Sequence, residues 1–249
     1  MQVLLKITNL SKVYTDQVGY RINLLENISA EIKENEFISF LAPSGSGKTS
    51  LLKILAGLDE PTSGQIENFK NRVIFIPTKP SSYPWLNVEE NISFESPKSV
   101  EEINNIINLV GLSGYEDHYP DNKSEGFRFR ISLGRALTHN PKIILIDEPF
   151  NNLNHVTRQE IYLMLRNIFI KTGISFVLGT INITEAVFLS EKIYLMKKNP
   201  GEIIDYMQIS LPKVREIKII DDASFVNLRD KVEQKLKEKL NRLLYNFSI

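Results

Sequence analysis

Ile38-Ser39-Phe40-Leu41-Ala42-Pro43-Ser44-Gly45-Ser46-Gly47-Lys48-Thr49-Ser50 is an apolar strand that breaks into a small glycine- and serine-rich turn closed by Lys-Thr. The run from Ser50 to Ala56, with Leu51, Leu52, Ile54 and Leu55, then reads as a helix. Such a turn needs residues without bulk, because successive backbone N–H groups must all point inward at phosphate oxygens while the helix adds its positive N-terminal dipole. Gly45 and Gly47 meet that need, and the stretch Ala42 to Ser50 is the candidate nucleotide cradle. Lys48 is expected to reach the β and γ phosphates and the Thr49 hydroxyl to hold Mg2+. The usual pattern opens with Gly where this chain has Ala42. Ala there costs about 1–2 kcal/mol if its φ must be positive and almost nothing otherwise.

Working outward, 249 residues that are 42% hydrophobic suffice for one substantial core, or a core with a small subdomain. Thirty basic and thirty acidic residues cancel, which argues against a broad nucleic-acid surface. The absence of cysteine excludes disulfides and thiolate metal sites. The opening Met1-Gln2-Val3-Leu4-Leu5-Lys6 is too short an apolar run for a signal peptide, and no stretch approaches the roughly 18 apolar residues of a membrane helix. Any work at a membrane is therefore expected to go through partners.

Alternation in Val3-Leu4-Leu5-Lys6-Ile7 and Ile28-Ser29-Ala30-Glu31-Ile32 predicts strands. Buried strands are predicted at Phe37 to Leu41, Lys142 to Ile146, Ile174 to Leu178 and Ile193 to Met196, separated by helical patterns such as Val156 to Ile170 and Thr184 to Leu189. The alternation implies an α/β fold around a largely parallel sheet, with antiparallel strands from the N-terminal region. Between Pro77 and Leu137 the strand signal fades and helices are expected at Val100 to Leu109 and Phe127 to Thr138, which reads as a helical insertion. Near the end, Phe225, Leu228, Val232, Leu236, Leu240 and Leu243 recur at spacings of three and four. That amphipathic stripe either packs on its own domain or meets a partner.

Four apolar residues followed by Asp147-Glu148 put two carboxylates at the end of a buried strand, where ligands bind in open α/β sheets. Asp147 is expected to hold Mg2+, directly or through water, and Glu148 to polarise the water that attacks a γ-phosphate.

At this point the chain resembles the ATP-binding subunits of ABC transporters, and among them the nitrate, sulfonate and taurine importer group. The resemblance covers nearly the full length. It rests on Leu58-Asp59-Glu60-Pro61-Thr62-Ser63-Gly64, on Tyr83-Pro84-Trp85-Leu86-Asn87-Val88-Glu89-Glu90-Asn91, on Arg135-Ala136-Leu137, on Asp147-Glu148-Pro149-Phe150 and on Ile183-Thr184-Glu185-Ala186-Val187. It implies a P-loop ABC-type nucleotide-binding domain over 1–212, with a helical subdomain at about 78–137, an antiparallel β subdomain, and an extension at 213–249. It also implies ATP and Mg2+ as cofactors, a second ATP-binding subunit and transmembrane permease subunits as partners, a solute-binding protein upstream, no nucleic acid, and a peripheral place at the cytoplasmic face of the membrane. Tyr14 matches the aromatic that stacks on adenine in the family; a tyrosine closing a strand-end core is the alternative.

The departures fall on particular residues. In the family, two such subunits dimerise head to tail and each ATP lies between one phosphate loop and the opposite signature motif. Here the signature reads Lys123-Ser124-Glu125-Gly126, so Glu125 brings a side chain and a negative charge toward phosphate unless it turns away or Lys123 compensates. Two like charges about 4 Å apart repel by roughly 1 kcal/mol in water and about 4 at an effective dielectric of 20. The switch histidine is Ile181, the glutamine that opens the helical insertion is Thr78, and the loop aspartate is Asn154. What the resemblance leaves intact is Lys48, Thr49, Asp147 and Glu148. The expectation is an importer ATPase that binds Mg-ATP and turns it over slowly, as the weaker half of a heterodimer. A nucleotide-binding structural or regulatory subunit without useful turnover is the alternative, and a family member without a permease is a third.

Overall fold

In the computed structural model, residues 2–15, 17–68, 71–79 and 81–246 are described, without the side chains of 241–246. In chain order the elements are β1 (Val3–Thr15), β2 (Arg21–Lys33), β3 (Phe37–Leu41), α1 (Lys48–Leu55), β4 (Ser63–Asn68) and β5 (Val73–Ile76). Then come α2 (Val88–Ser93), α3 (Val100–Leu109), α4 (Glu125–Thr138), β6 (Ile143–Asp147), α5 (His155–Thr172), β7 (Ser175–Thr180) and α6 (Ile183–Leu189). Strands β8 (Lys192–Lys197) and β9 (Glu202–Gln208), a short 3-10 turn (Ile217–Asp221) and α7 (Ala223–Asn246) complete the order.

Two sheets form. One is antiparallel, in the order β2-β1-β4; the other is six-stranded, β5-β6-β7-β3-β8-β9, and parallel except for β9. Strands β3, β6 and β7 are buried along their whole length, as expected of largely apolar strands in a sheet covered on both faces. Successive side chains then face opposite ways. Phe37, Ile144, Phe176 and Leu178 join one core with α3, α4, α5 and α6, whereas Ile38, Phe40, Leu145 and Val177 join a second core with α1 and the antiparallel sheet.

The helical insertion appears where the strand signal fades. Its first two helices are started by reciprocal capping boxes, Asn87 with Glu90 and Ser99 with Glu102, each satisfying two otherwise unpaired N–H groups. The C-terminal stripe packs on the first core: Phe225 and Val232 are fully buried, and Leu228 and Leu236 lie against the same cluster. The Leu243 side chain lies outside the described residues. Ahead of α7, the buried Arg215 guanidinium donates to the carbonyls of Val187, Phe188 and Ser190, the unpaired acceptors at the end of α6.

Several expected bounds change. Strands β1 and β2 run well beyond Ile7 and ahead of Ile28, because register shifts between Ile7 and Val13 break the simple alternation there while the ladder continues and still buries Leu10 and Leu25. Helix α4 begins at Glu125 rather than Phe127, since Ser124 caps it.

Candidate functional site

The parallel sheet sets up the site. Strands β3 and β6 lie on either side of β7, with Leu41 beside Thr180 and Asp147 beside Gly179. The turn after β3 and the carboxylates after β6 therefore open at the same sheet edge. Gly179 keeps the approach open, since a Cβ there would stand 3.0 Å from Leu52 Cδ1 and 3.4 Å from Asp147 Oδ1.

Within the turn, Gly45 and Gly47 take φ of +79° and +85°, the conformation that lets the backbone curl around an anion. Gly47 is also closely packed, with room for a Cβ only 2.7 Å from Leu25 Cδ2. Ala42 is not among the residues with positive φ, so the alanine is unstrained, and its N–H bonds to Thr180 O at 3.1 Å. Ser46 Oγ is buried without a partner. Pro43, Ser44 and Ser50 complete the rim, with Ser50 3.4 Å from the Tyr14 hydroxyl.

Lys48 is 4% exposed, and its ammonium is fully engaged: to Ala42 O at 3.0 Å, Pro43 O at 3.2 Å and Glu148 Oε1 at 2.9 Å. Glu148 has φ +41°, a conformation that costs a non-glycine residue of order 1 kcal/mol and that clusters at functional sites. Its other oxygen accepts from Asn151 Nδ2 at 2.8 Å.

Asp147 Oδ2 accepts from Thr49 Oγ1 at 2.8 Å and from Thr78 Oγ1 at 2.9 Å. Burial pushes the Asp147 carboxyl up, against the pull of both threonine hydroxyls. Its Oδ1 is buried and unpartnered. One carboxylate and two hydroxyls, all hard oxygen donors with one buried oxygen left over, fit a divalent cation that keeps waters and substrate phosphates as its remaining ligands. Among the described residues there is no group of three His, Cys, Asp or Glu that could hold a metal ion.

Tyr14 is 40% exposed and donates to Asp59 Oδ2 at 2.6 Å, with Lys12 Nζ 4.8 Å over its ring. It is not a core tyrosine; it presents a ring beside the turn.

The altered positions are scattered by comparison. Ser124 caps α4 by accepting from Phe127 N, and Glu125 accepts from Asn152 Nδ2 at 3.2 Å. The Lys123 Nζ lies 5.6 Å over the Phe127 ring. Gly126 is a packing requirement, since a Cβ would meet Thr157 Cγ2 at 2.6 Å. Asn154 caps α5 through Thr157 N, and Ile181 is 48% exposed just past β7. Sequence reasoning missed Asn151 and Asn152, although an asparagine pair directly after Pro149-Phe150 was the available signal. It also treated Thr78 only as a loss, whereas its hydroxyl stands beside Thr49.

The ABC transporter family profile matches residues 25–151. An uncharacterized ABC transporter ATP-binding protein of Methanocaldococcus jannaschii is 34% identical over 98% of this chain and 95% of its own length. The aliphatic sulfonates import ATP-binding protein of Bacillus cereus is 34% identical over 93% and 95%, and the nitrate import ATP-binding protein of Synechocystis 31% over 94% and 95%. An ATP-binding cassette solved as a dimer in a post-hydrolysis state with ADP and Pi superposes with a TM-score of 0.73 at 27% identity, over 84% of this chain and all of that one. With phosphate turn, paired carboxylates and parallel sheet in one arrangement, the chain belongs to the ABC transporter family, as an ATP-binding subunit of its ATPases that takes ATP with Mg2+.

Proposed function

We propose that this subunit drives import of a small anion of the sulfonate or nitrate kind, binding Mg-ATP at a head-to-tail dimer interface and hydrolysing it slowly beside a more active partner. The observation that carries it is the convergence of Lys48, Thr49, Asp147 and Glu148 at one sheet edge. Lys48 exchanges its carbonyl and carboxylate partners for β and γ phosphates. Thr49 and Asp147 would hold the cation, which would supply charge neutralisation when bound. Glu148, freed from Lys48, orients and deprotonates the attacking water. Tyr14 offers its ring to the adenine.

The importer assignment is supported by the names of the sulfonate and nitrate relatives. Residues 1–212 make up the ATP-binding domain with its inserted helices, and 213–249 are an extension clamped to α6 by Arg215. The permease face is the exposed aromatic group at the insertion, where Trp85 is 69% exposed and Tyr83 lies 5.5 Å from it. Asymmetry is supported by Ile181, which has no group to bond a γ-phosphate, and by Glu125 in the first turn of α4, where it occupies the anion-favouring end of that helix. Loss of one such stabiliser slows reaction by on the order of 100- to 1000-fold.

The same two residues favour a second reading, a nucleotide-binding regulatory subunit without useful turnover. Glu148→Gln separates the two. If transport by the assembled complex falls, this chain's hydrolysis is used; if transport is unchanged, the regulatory reading holds.

A further inference from the structure

The chain leaving β6 turns at once, and the turn carries two exposed amides. Phe150 and Leu153 bury their side chains, and Leu153 N donates to Phe150 O at 3.2 Å, which closes the turn over residues 150–153. Asn151 and Asn152 stand exposed between those anchors. Asn151 Nδ2 donates to Glu148 Oε2 at 2.8 Å, so the placing of the turn decides whether that amide reaches the carboxylate. The other Glu148 oxygen pairs with Lys48.

A single arginine braces this turn. Arg158 lies in the first turn of α5, four residues after the capping Asn154, and its Nη2 donates to Phe150 O at 3.2 Å and to Leu153 O at 3.1 Å. One amino group thus bridges the carbonyls at both ends of the turn. A guanidinium is planar and rigid, so fixing one edge aims the rest. The Arg158 Nε is buried and lies 4.0 Å from Glu185 Oε1, too long for a hydrogen bond but close for two opposite charges. Glu185 is itself buried; burial pushes its carboxyl up, against the pull of the Thr180 and Tyr162 hydroxyls and of the Arg158 charge. Thr180 Oγ1 donates to Glu185 Oε2 at 2.5 Å and accepts from Asn182 N at 3.0 Å, while Asn182 Oδ1 accepts from Glu185 N at 3.2 Å. The residues on both sides of Ile181 therefore hold to the acid that faces Arg158.

We propose that Arg158, paired with Glu185, is a positioning residue for hydrolysis: it holds the 150–153 turn where Asn151 can orient Glu148. The inference rests on the reading of Glu148 as the group that orients and deprotonates the attacking water. When Lys48 turns to phosphate, Asn151 remains as the tether of the Glu148 carboxylate, and Arg158 fixes where that tether stands. The end of β7 then reaches the carboxylate through Thr180, Asn182 and Glu185, a route that needs no hydrogen-bonding side chain at residue 181.

The test is single-turnover hydrolysis by the assembled complex, counting for this site the part of the rate that Glu148→Gln removes, with the ATP affinity of the purified chain in EDTA measured alongside. Arg158→Met keeps the length of the side chain and loses its donors. It is expected to lower that rate about ten- to hundredfold while ATP affinity stays within about twofold. Asn151→Ala changes only an exposed side chain and is expected to lower the rate to a similar extent. The double variant should fall no further than the worse single one, because both substitutions act through one carboxylate. An unchanged rate in Asn151→Ala, losses that multiply in the double variant, or a loss of ATP affinity in Arg158→Met as large as its loss of rate overturns the proposal. A complex whose rate is untouched by Glu148→Gln overturns the reading of Glu148 and the proposal with it.

Discussion

The Lys48 ammonium and the Glu148 carboxylate lie 2.9 Å apart, so in the proposed function the side chain assigned to phosphate and the one assigned to the attacking water hold one another. On the proposed roles, ATP competes with Glu148 for Lys48, and the same exchange frees the base. Glu148→Gln removes the competing charge. The expected outcome is a roughly three- to tenfold tighter ATP dissociation constant, with a single-turnover rate lowered about 100-fold or more. Equilibrium binding and rapid-quench measurements on one preparation check both.

Backbone conformation separates the two ends of the phosphate turn. Gly47→Ala combines positive φ with a Cβ 2.7 Å from Leu25, so it should lose ATP binding and about 1–2 kcal/mol of stability or more. Ala42→Gly should not improve ATP affinity, since Ala42 carries no positive φ to relieve. Its thermal midpoint should fall slightly, by about 1–3 °C, through the unfolded chain.

Two aspartates predict opposite responses to acid. The Lys12 ammonium, and after it the Tyr14 hydroxyl, hold the Asp59 carboxyl down from 3.8 to about 2. Its contribution is present above the unfolded value and is lost as pH falls from about 3.8 toward 2. Burial raises Asp147, so ionising it costs the nucleotide-free fold, and that cost grows as pH rises above its unfolded value of 3.8. Asp147→Asn is therefore expected to raise the nucleotide-free melting temperature near neutral pH while abolishing Mn2+ uptake. Thermal melts from pH 3 to 7, with and without the substitution, read the difference.

Arg215 is buried with three carbonyl partners at the end of α6, and burial pushes it down to about 9. Arg215→Met leaves those acceptors unpaired, at about 1–3 kcal/mol for each buried orphan, and should lower the melting temperature by about 5 °C or more. Truncation after residue 212 also removes buried Phe225 and Val232, and should not yield a cooperatively folding domain.

Glu125→Gly restores a residue without charge at the start of α4. Cross-linking or sedimentation in ATP should show a larger dimer fraction than wild type, provided Glu148→Gln is included to block turnover.

Most of the site was legible because its residues sit on fully buried strands and on a turn whose chemistry tolerates few alternatives. Leu41 and Ile146 fix where Ala42 and Asp147 emerge, and apolar runs of that kind read clearly. Side-chain partnerships across distant segments were not legible. Nothing local to Thr78 says that β5 lies beside β6, and nothing local to Asn152 says that it will bond Glu125. The strand β5 itself is a four-residue run, Val73–Ile76, too short to be told from a loop without the pairing that stabilises it.

The most direct measurement is Mg-ATP binding by the purified chain, paired with single-turnover hydrolysis, alone and with its co-purifying partner. The account predicts tight binding with negligible turnover alone and turnover in the complex. Brisk turnover by the isolated chain would mean that Ile181 and Glu125 are compensated, and would contradict the reading of this subunit as the weaker half of a heterodimer.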